Sequence, residues 1–170
     1  MTWNPFKKKS LNIVIVCMAN ITRSPYFAQL LQRTLAEKPL HLSGEISVTS
    51  AGVDAFNGAG PNQVISAIAD TRGIPFYRHR SRRFDRYIAS RADLILTMEN
   101  AHKEKILKNF PKLEGKVFTV LEFGRKPGDL KSFDVPDPTG LELKEYQDFI
   151  DAMEQEVDRV RNILSIHGLP

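Results

Sequence analysis

The stretch from Ile13 to Pro25 constrains this chain more than any other: an apolar run, Ile13 to Val16, ends at Cys17, and Arg23 follows six positions later, directly before Ser24-Pro25. Ser24 suits a helix cap and Pro25 a first turn, and Phe27, Leu30, Leu31, Thr34 and Leu35 then recur at helical spacing. The reading is strand, tight loop, helix. In a C-x5-R loop followed by a helix, backbone N–H groups can curl around one anion while the helix N-terminus adds partial positive charge. The same field favours a thiolate, and a guanidinium fork takes two phosphate oxygens at once. Cys17 is thus a candidate nucleophile and Arg23 a candidate phosphate clamp. A lone cysteine behind an apolar run is also what core packing looks like, and C-x5-R is a short pattern. Context has to separate the two.

That context is an alternation of elements. Strands are expected at Leu11 to Val16, Ile46 to Ser50, Leu94 to Thr97 and Val117 to Val120. Helices are expected at Ser24 to Glu37, Pro61 to Arg72, Arg82 to Ala89, Asn100 to Asn109 and Leu143 to Leu164. Such alternation predicts an α/β fold: one domain, a central four-stranded parallel sheet, helices on both faces, and a phosphate-binding loop after the first strand. Ligands of such sheets sit at the carboxyl ends of the strands, where the Cys17 loop falls. The last helix carries Leu143, Tyr146, Ile150, Met153, Val157, Val160 and Leu164 in steps of three and four, a stripe better suited to packing on the sheet than to a coiled coil. Phe123 to Gly140 reads as a long loop, and Asp137 lies in it between Pro136 and Pro138, which stiffen the segment.

At 170 residues the chain has room for one well-buried domain, residues 11–170, preceded by an extension at residues 1–10 expected to be flexible. One cysteine excludes an internal disulfide framework, and four scattered histidines give no metal-ligand spacing, so a reducing compartment, no metal and no cofactor are expected. Lys7 to Lys9 precede too short an apolar stretch for a secretory signal, and no run is long enough to cross a bilayer. Seven arginines between Arg72 and Arg91 form either a docking face for anions or a solvated helix face. No reader motif accompanies them, which argues against nucleic acid.

The segment Cys17-Met18-Ala19-Asn20-Ile21-Thr22-Arg23-Ser24-Pro25 resembles the signature C-x-G-N-x-C-R-S-P of the low-molecular-weight protein tyrosine phosphatases. Ser50-Ala51-Gly52, His79-Arg80-Ser81-Arg82, Asp93 to Glu99 and Asp134-Val135-Pro136-Asp137-Pro138 match the same family in its order, over roughly residues 11–165. The resemblance implies hydrolysis of phosphotyrosine in proteins through a phosphocysteine, with Cys17 as nucleophile, Arg23 as clamp and Asp137 as general acid and then base. It also implies that Met18 to Thr22 wrap the phosphate and that Ser24, Ser50 and His79 hold Asn20 and the cradle. Ser24 can also reach the Cys17 sulfur. Asn20 itself is expected in the left-handed region, which Asn tolerates. Met18, Ile21 and Phe56 are expected to line the mouth; Phe56 could instead be core. By analogy with bacterial members, the implied setting is cytoplasmic, with a phosphotyrosine protein such as a bacterial tyrosine kinase that governs exopolysaccharide export as partner, and inorganic phosphate or another oxyanion as loop ligand.

Three differences from the family pattern stand out. Ala19 replaces the usual Gly and would be strained at positive φ. Thr22 replaces a second loop cysteine, so oxidised Cys17 has no resolving thiol and peroxide damage should be poorly reversed. The missing thiols also argue against the related arsenate reductases. Thr139 and Gly140 stand where tyrosines often follow the Asp-Pro pair, leaving that wall less aromatic. Relatives acting on phosphoarginine tend to carry a small polar residue after the Asn, where this chain has Ile21, so phosphotyrosine is favoured. The alternatives are a phosphatase for another phospho-residue such as phosphoarginine, or a phosphate- or phosphoprotein-binding module with weak or lost turnover.

Overall fold

The structure, a computed structural model, describes residues 10–37 and 45–167. Four strands, β1 (Ser10–Cys17), β2 (Glu45–Gly52), β3 (Leu94–Thr97) and β4 (Val117–Thr119), form one sheet in the order β2-β1-β3-β4, every pair parallel. Five helices join them: α1 (Arg23–Glu37), α2 (Gln63–Thr71), α3 (Arg86–Arg91), α4 (Asn100–Asn109) and α5 (Leu143–His167). The expected α/β architecture is the one found. Residues 1–9 of the expected N-terminal extension lie outside the described residues; Ser10 already pairs with Glu45 as the first residue of β1.

Alternation along β1 divides the core in two, because successive side chains of a strand point to opposite faces. Leu11, Ile13, Ile15 and Cys17 join the cluster built on α1, α2 and α5, whereas Val14 and Val16 join the one built on α3 and α4. Both faces of the central strand are therefore dry, as its unbroken apolar run requires. The α5 stripe packs as expected from Tyr146 to Leu164, but Leu143 is exposed in the first turn, and the helix continues to His167.

Side-chain capping accounts for the shifted boundaries. Asn62 Oδ1 accepts from the Val64 and Ile65 N–H groups at 2.9 and 3.2 Å, so α2 begins at Gln63 rather than Pro61. The helix expected from Arg82 begins only at Arg86, because Asp85 caps it through the Ile88 N–H at 2.9 Å. The residues before it run beside the end of β2 instead: the Gly52 N–H donates to the Arg82 carbonyl at 2.9 Å and the Phe84 N–H to the Gly52 carbonyl at 2.8 Å. This contact brings the arginine-rich segment against the Cys17 loop. A short 3-10 turn at Pro111–Leu113, unforeseen in the sequence, leads into β4, which ends at Thr119 rather than Val120. Among the described residues, no helix is long and apolar enough to cross a membrane.

Candidate active site

Cys17 is the last residue of β1, and Arg23 is the first of α1, so the five residues between them form the loop at the carboxyl end of the central strand. Cys17 is buried, and its Sγ lies 3.0 Å from Ser24 Oγ and accepts from the Asn20 N–H at 3.3 Å. Ser24 is not the helix cap its position suggests; it lies inside the first turn, with its hydroxyl turned to the sulfur and to the Ala51 carbonyl.

Asn20 is the knot of the loop. It is wholly buried, and among the described residues it alone, apart from glycines, has positive φ, at 57°. Its Nδ2 donates to Ser24 Oγ at 3.0 Å and to Ser50 Oγ at 2.9 Å. Its Oδ1 accepts from the Arg82 N–H at 2.9 Å, and its carbonyl accepts from His79 Nε2 at 2.7 Å. Burial is the main cause holding His79 below the ordinary histidine range, so its neutral ring keeps that N–H on the loop; it also stacks on Phe76. Ala19 lies outside the positive-φ region, so the expected strain from replacing glycine there does not arise. The glycine that the loop does need is Gly52, where a Cβ would come within 2.5 Å of the Met18 carbonyl and 2.9 Å of the Asn20 nitrogen. The backbone thus closes over the end of β2, with the Val53 and Asp54 N–H groups donating to the Cys17 and Met18 carbonyls.

Arg23 is 2% exposed, and a buried guanidinium must be paired. Nη1 bonds the Glu99 carboxylate and the Val135 carbonyl, the latter at 2.8 Å, while Nη2 reaches Asp137 Oδ2 at 2.6 Å. Clamp and candidate acid are therefore in direct contact. The loop that carries Asp137 is anchored beside them: the Val135 N–H donates to the Met98 carbonyl at 2.8 Å, and Asp134 Oδ1 accepts from the Asn100 N–H at the start of α4 at 2.6 Å. Thr22, in place of a second cysteine, lies 3.0 Å by its hydroxyl from that of Thr139. Two of the departures from the family pattern thus meet in one contact that ties the two loops together.

Met18 is partly exposed at the mouth and Ile21 half-buried, its carbonyl accepting from the Asn62 N–H. Phe56, which could have been core, is 87% exposed. The motifs that contain Glu99 and Arg82 do not by themselves give either a role; the signal that points to Glu99 is that a buried arginine needs a carboxylate. His102 went unnoticed: it is 1% exposed in α4, three residues after Glu99.

A cysteine at the end of the central strand, a short loop whose Asn20 N–H points to its sulfur and an arginine opening the next helix define a cysteine-dependent phosphoric monoester hydrolase. The chain belongs to the low molecular weight phosphotyrosine protein phosphatase family, whose model matches residues 12–165. It is similar to the probable low molecular weight protein-tyrosine-phosphatase EpsP of Ralstonia nicotianae, 31% identical over 86% of this chain and 90% of that one. It is also similar to the low molecular weight protein-tyrosine-phosphatase Wzb of Escherichia coli K12, 34% identical over 75% and 77% of the two chains. Among solved structures, a cysteine-to-serine mutant of YwlE arginine phosphatase with phosphorylated active site serine superposes with a TM-score of 0.81 at 27% identity, over 91% of this chain and 95% of that one.

Proposed function

We propose that this chain hydrolyses phosphotyrosine in proteins by way of a phosphocysteine. The Cys17 thiolate attacks phosphorus while the tyrosyl oxygen departs, taking a proton from Asp137; water then attacks the phosphorus–sulfur bond, giving its proton back to Asp137 and freeing phosphate and thiolate. Arg23 and the N–H groups of the loop hold the equatorial oxygens throughout. The observation that carries this reading is the contact of Arg23 with Asp137 at 2.6 Å beside the loop that encloses Cys17. An arriving phosphoryl group competes with Asp137 for Nη2, so binding substrate releases the acid at the place where it is needed. A phosphorylated serine at the nucleophile position of a relative agrees with a covalent intermediate on Cys17.

Exposed Phe56 and half-buried Ile21 supply apolar walls for a phenyl ring. The likeness to an arginine phosphatase favours phosphoarginine as a second reading, and Ile21 favours phosphotyrosine over it. A phosphotyrosine protein of the bacterial cytoplasm, such as a tyrosine kinase, is the proposed partner. Hydrolysis of p-nitrophenyl phosphate and of matched phosphotyrosine and phosphoarginine peptides tests both. Metal-independent turnover that is lost in Cys17→Ser and is faster on phosphotyrosine supports the proposal. Phosphate binding without turnover by the wild type would instead make the chain a binding module.

A further inference from the structure

Arg23 leans on Glu99, and Glu99 has a second neighbour that the reaction above does not use. Three residues on, His102 is turned into the same space, with Nε2 3.9 Å from Glu99 Oε1. At 1% exposure neither ring nitrogen has a hydrogen-bond partner among the described residues. A buried imidazole left without a protein partner is costly and calls for an explanation. Glu99, already on Arg23, is the carboxylate within reach to supply that partner. It stands at the N-cap position of α4 yet makes no capping bond, and Asp134 takes the Asn100 N–H instead. Glu99 is thus positioned to divide its carboxylate between Arg23 and His102.

We propose that His102 is a positioning residue for the phosphate clamp: when a phosphoryl group draws Arg23 towards the loop, Glu99 shifts about 1 Å to take the Nε2–H of His102, and so continues to hold Nη1 from behind. The proposal rests on the phosphatase reading of this site. The charged groups that face His102 are Glu99, Arg23, Asp137 and Asp134, with Asp54 beyond. Burial is the main cause that keeps the ring below the ordinary histidine range, so it meets Glu99 as a neutral donor. Without that donor, Glu99 would have to follow Arg23 alone, and the clamp would close on phosphate less well.

The test compares His102→Leu with His102→Gln, which keeps an N–H donor near the position of Nε2. Removing one hydrogen bond to a charged group should raise KM for p-nitrophenyl phosphate and Ki for inorganic phosphate about tenfold in the Leu variant, with kcat far less affected, and Gln should restore most of the loss. In a Glu99→Gln background the Leu change should add nothing further. Equal Ki values for wild type and Leu variant, Gln as poor as Leu, or additive losses with Glu99→Gln would each overturn the proposal. Should His102→Leu fail to fold, imidazole ¹⁵N spectra of the wild type decide: on saturation with vanadate, the His102 Nε2–H signal should move as a new hydrogen bond forms, and an unmoved signal would refute it. A wild type unable to hydrolyse any aryl phosphate would sink the phosphatase reading, while its phosphate affinity by calorimetry would still judge the role of His102.

Discussion

The two loops that meet at Arg23 are held in opposite ways. The Cys17 loop is short, largely buried and fastened from two other segments: by the Ser50 side chain at the end of β2, and by the His79 side chain and the Arg82 N–H from the stretch before α3. The segment carrying Asp137 lies in the long connection between β4 and α5, is largely exposed, and hangs from Met98, Asn100, Arg23 and Thr22. A nucleophile gains from being fixed, since its reaction needs one geometry. An acid that must leave the clamp and reach a departing oxygen gains from resting on the partner that the substrate will displace. On the proposed mechanism, the difference teaches that preorganisation is spent where covalent bonds form, and that the proton donor is left on a contact that can be exchanged.

Removing the carboxylate should separate the two loops most sharply. Asp137→Ala should lower kcat by roughly 10²–10⁴-fold, as expected of a lost general acid, yet shift thermal stability by under about 1 kcal/mol, because Asp137 is itself 41% exposed and the Glu99 carboxylate and the Val135 carbonyl still pair the buried Arg23. A large loss of Tm in that variant would break the comparison. Asn20→Ala should do the reverse in kind: three side-chain hydrogen bonds vanish and a left-handed position loses the residue that tolerates it, for about 3 kcal/mol and roughly 10 °C in a melting experiment. An unchanged Tm would show that the cradle is not held through Asn20.

Acid should loosen the fixed loop too. His79 and His102 titrate below their usual 6.5 in the folded protein, chiefly through burial, whereas the unfolded chain takes up protons near 6.5. Between those values the unfolded state binds more protons, so stability is full above about pH 6.5 and falls as the pH drops below it. Melting across that range checks this, and His79→Gln should flatten part of the slope. The smallest effect is expected at the bridge between the loops. Thr22→Val removes the hydroxyl contact with Thr139, costing about 1 kcal/mol, with kcat reduced only severalfold. If turnover instead fell as far as in Asp137→Ala, the acid loop would depend on that bridge more than on Arg23.

The architecture was legible because β1, β3 and β4 are short, mainly apolar runs and β2 alternates, and β1 announces burial on both faces by itself. The left-handed conformation of Asn20 was legible for a chemical reason, since few other residues rest there. What the sequence did not disclose depends on contacts between distant segments. It could not say which of 20 acidic residues would neutralise Arg23, nor that Arg82 to Phe84 would lie along β2 instead of starting a helix. The exposure of Phe56 and the burial of His102 are likewise properties of the assembled surface, invisible to periodicity.

One feature of the loop makes the protein its own gauge. Cys17 is the only sulfhydryl in the chain, and it sits at the floor of the oxyanion cradle. On the proposed mechanism, a thiol-selective alkylating reagent that adds a single mass increment has therefore found the nucleophile, so the labelled fraction counts molecules whose thiol is reactive. Protection by phosphate measures occupancy without a chromogenic substrate.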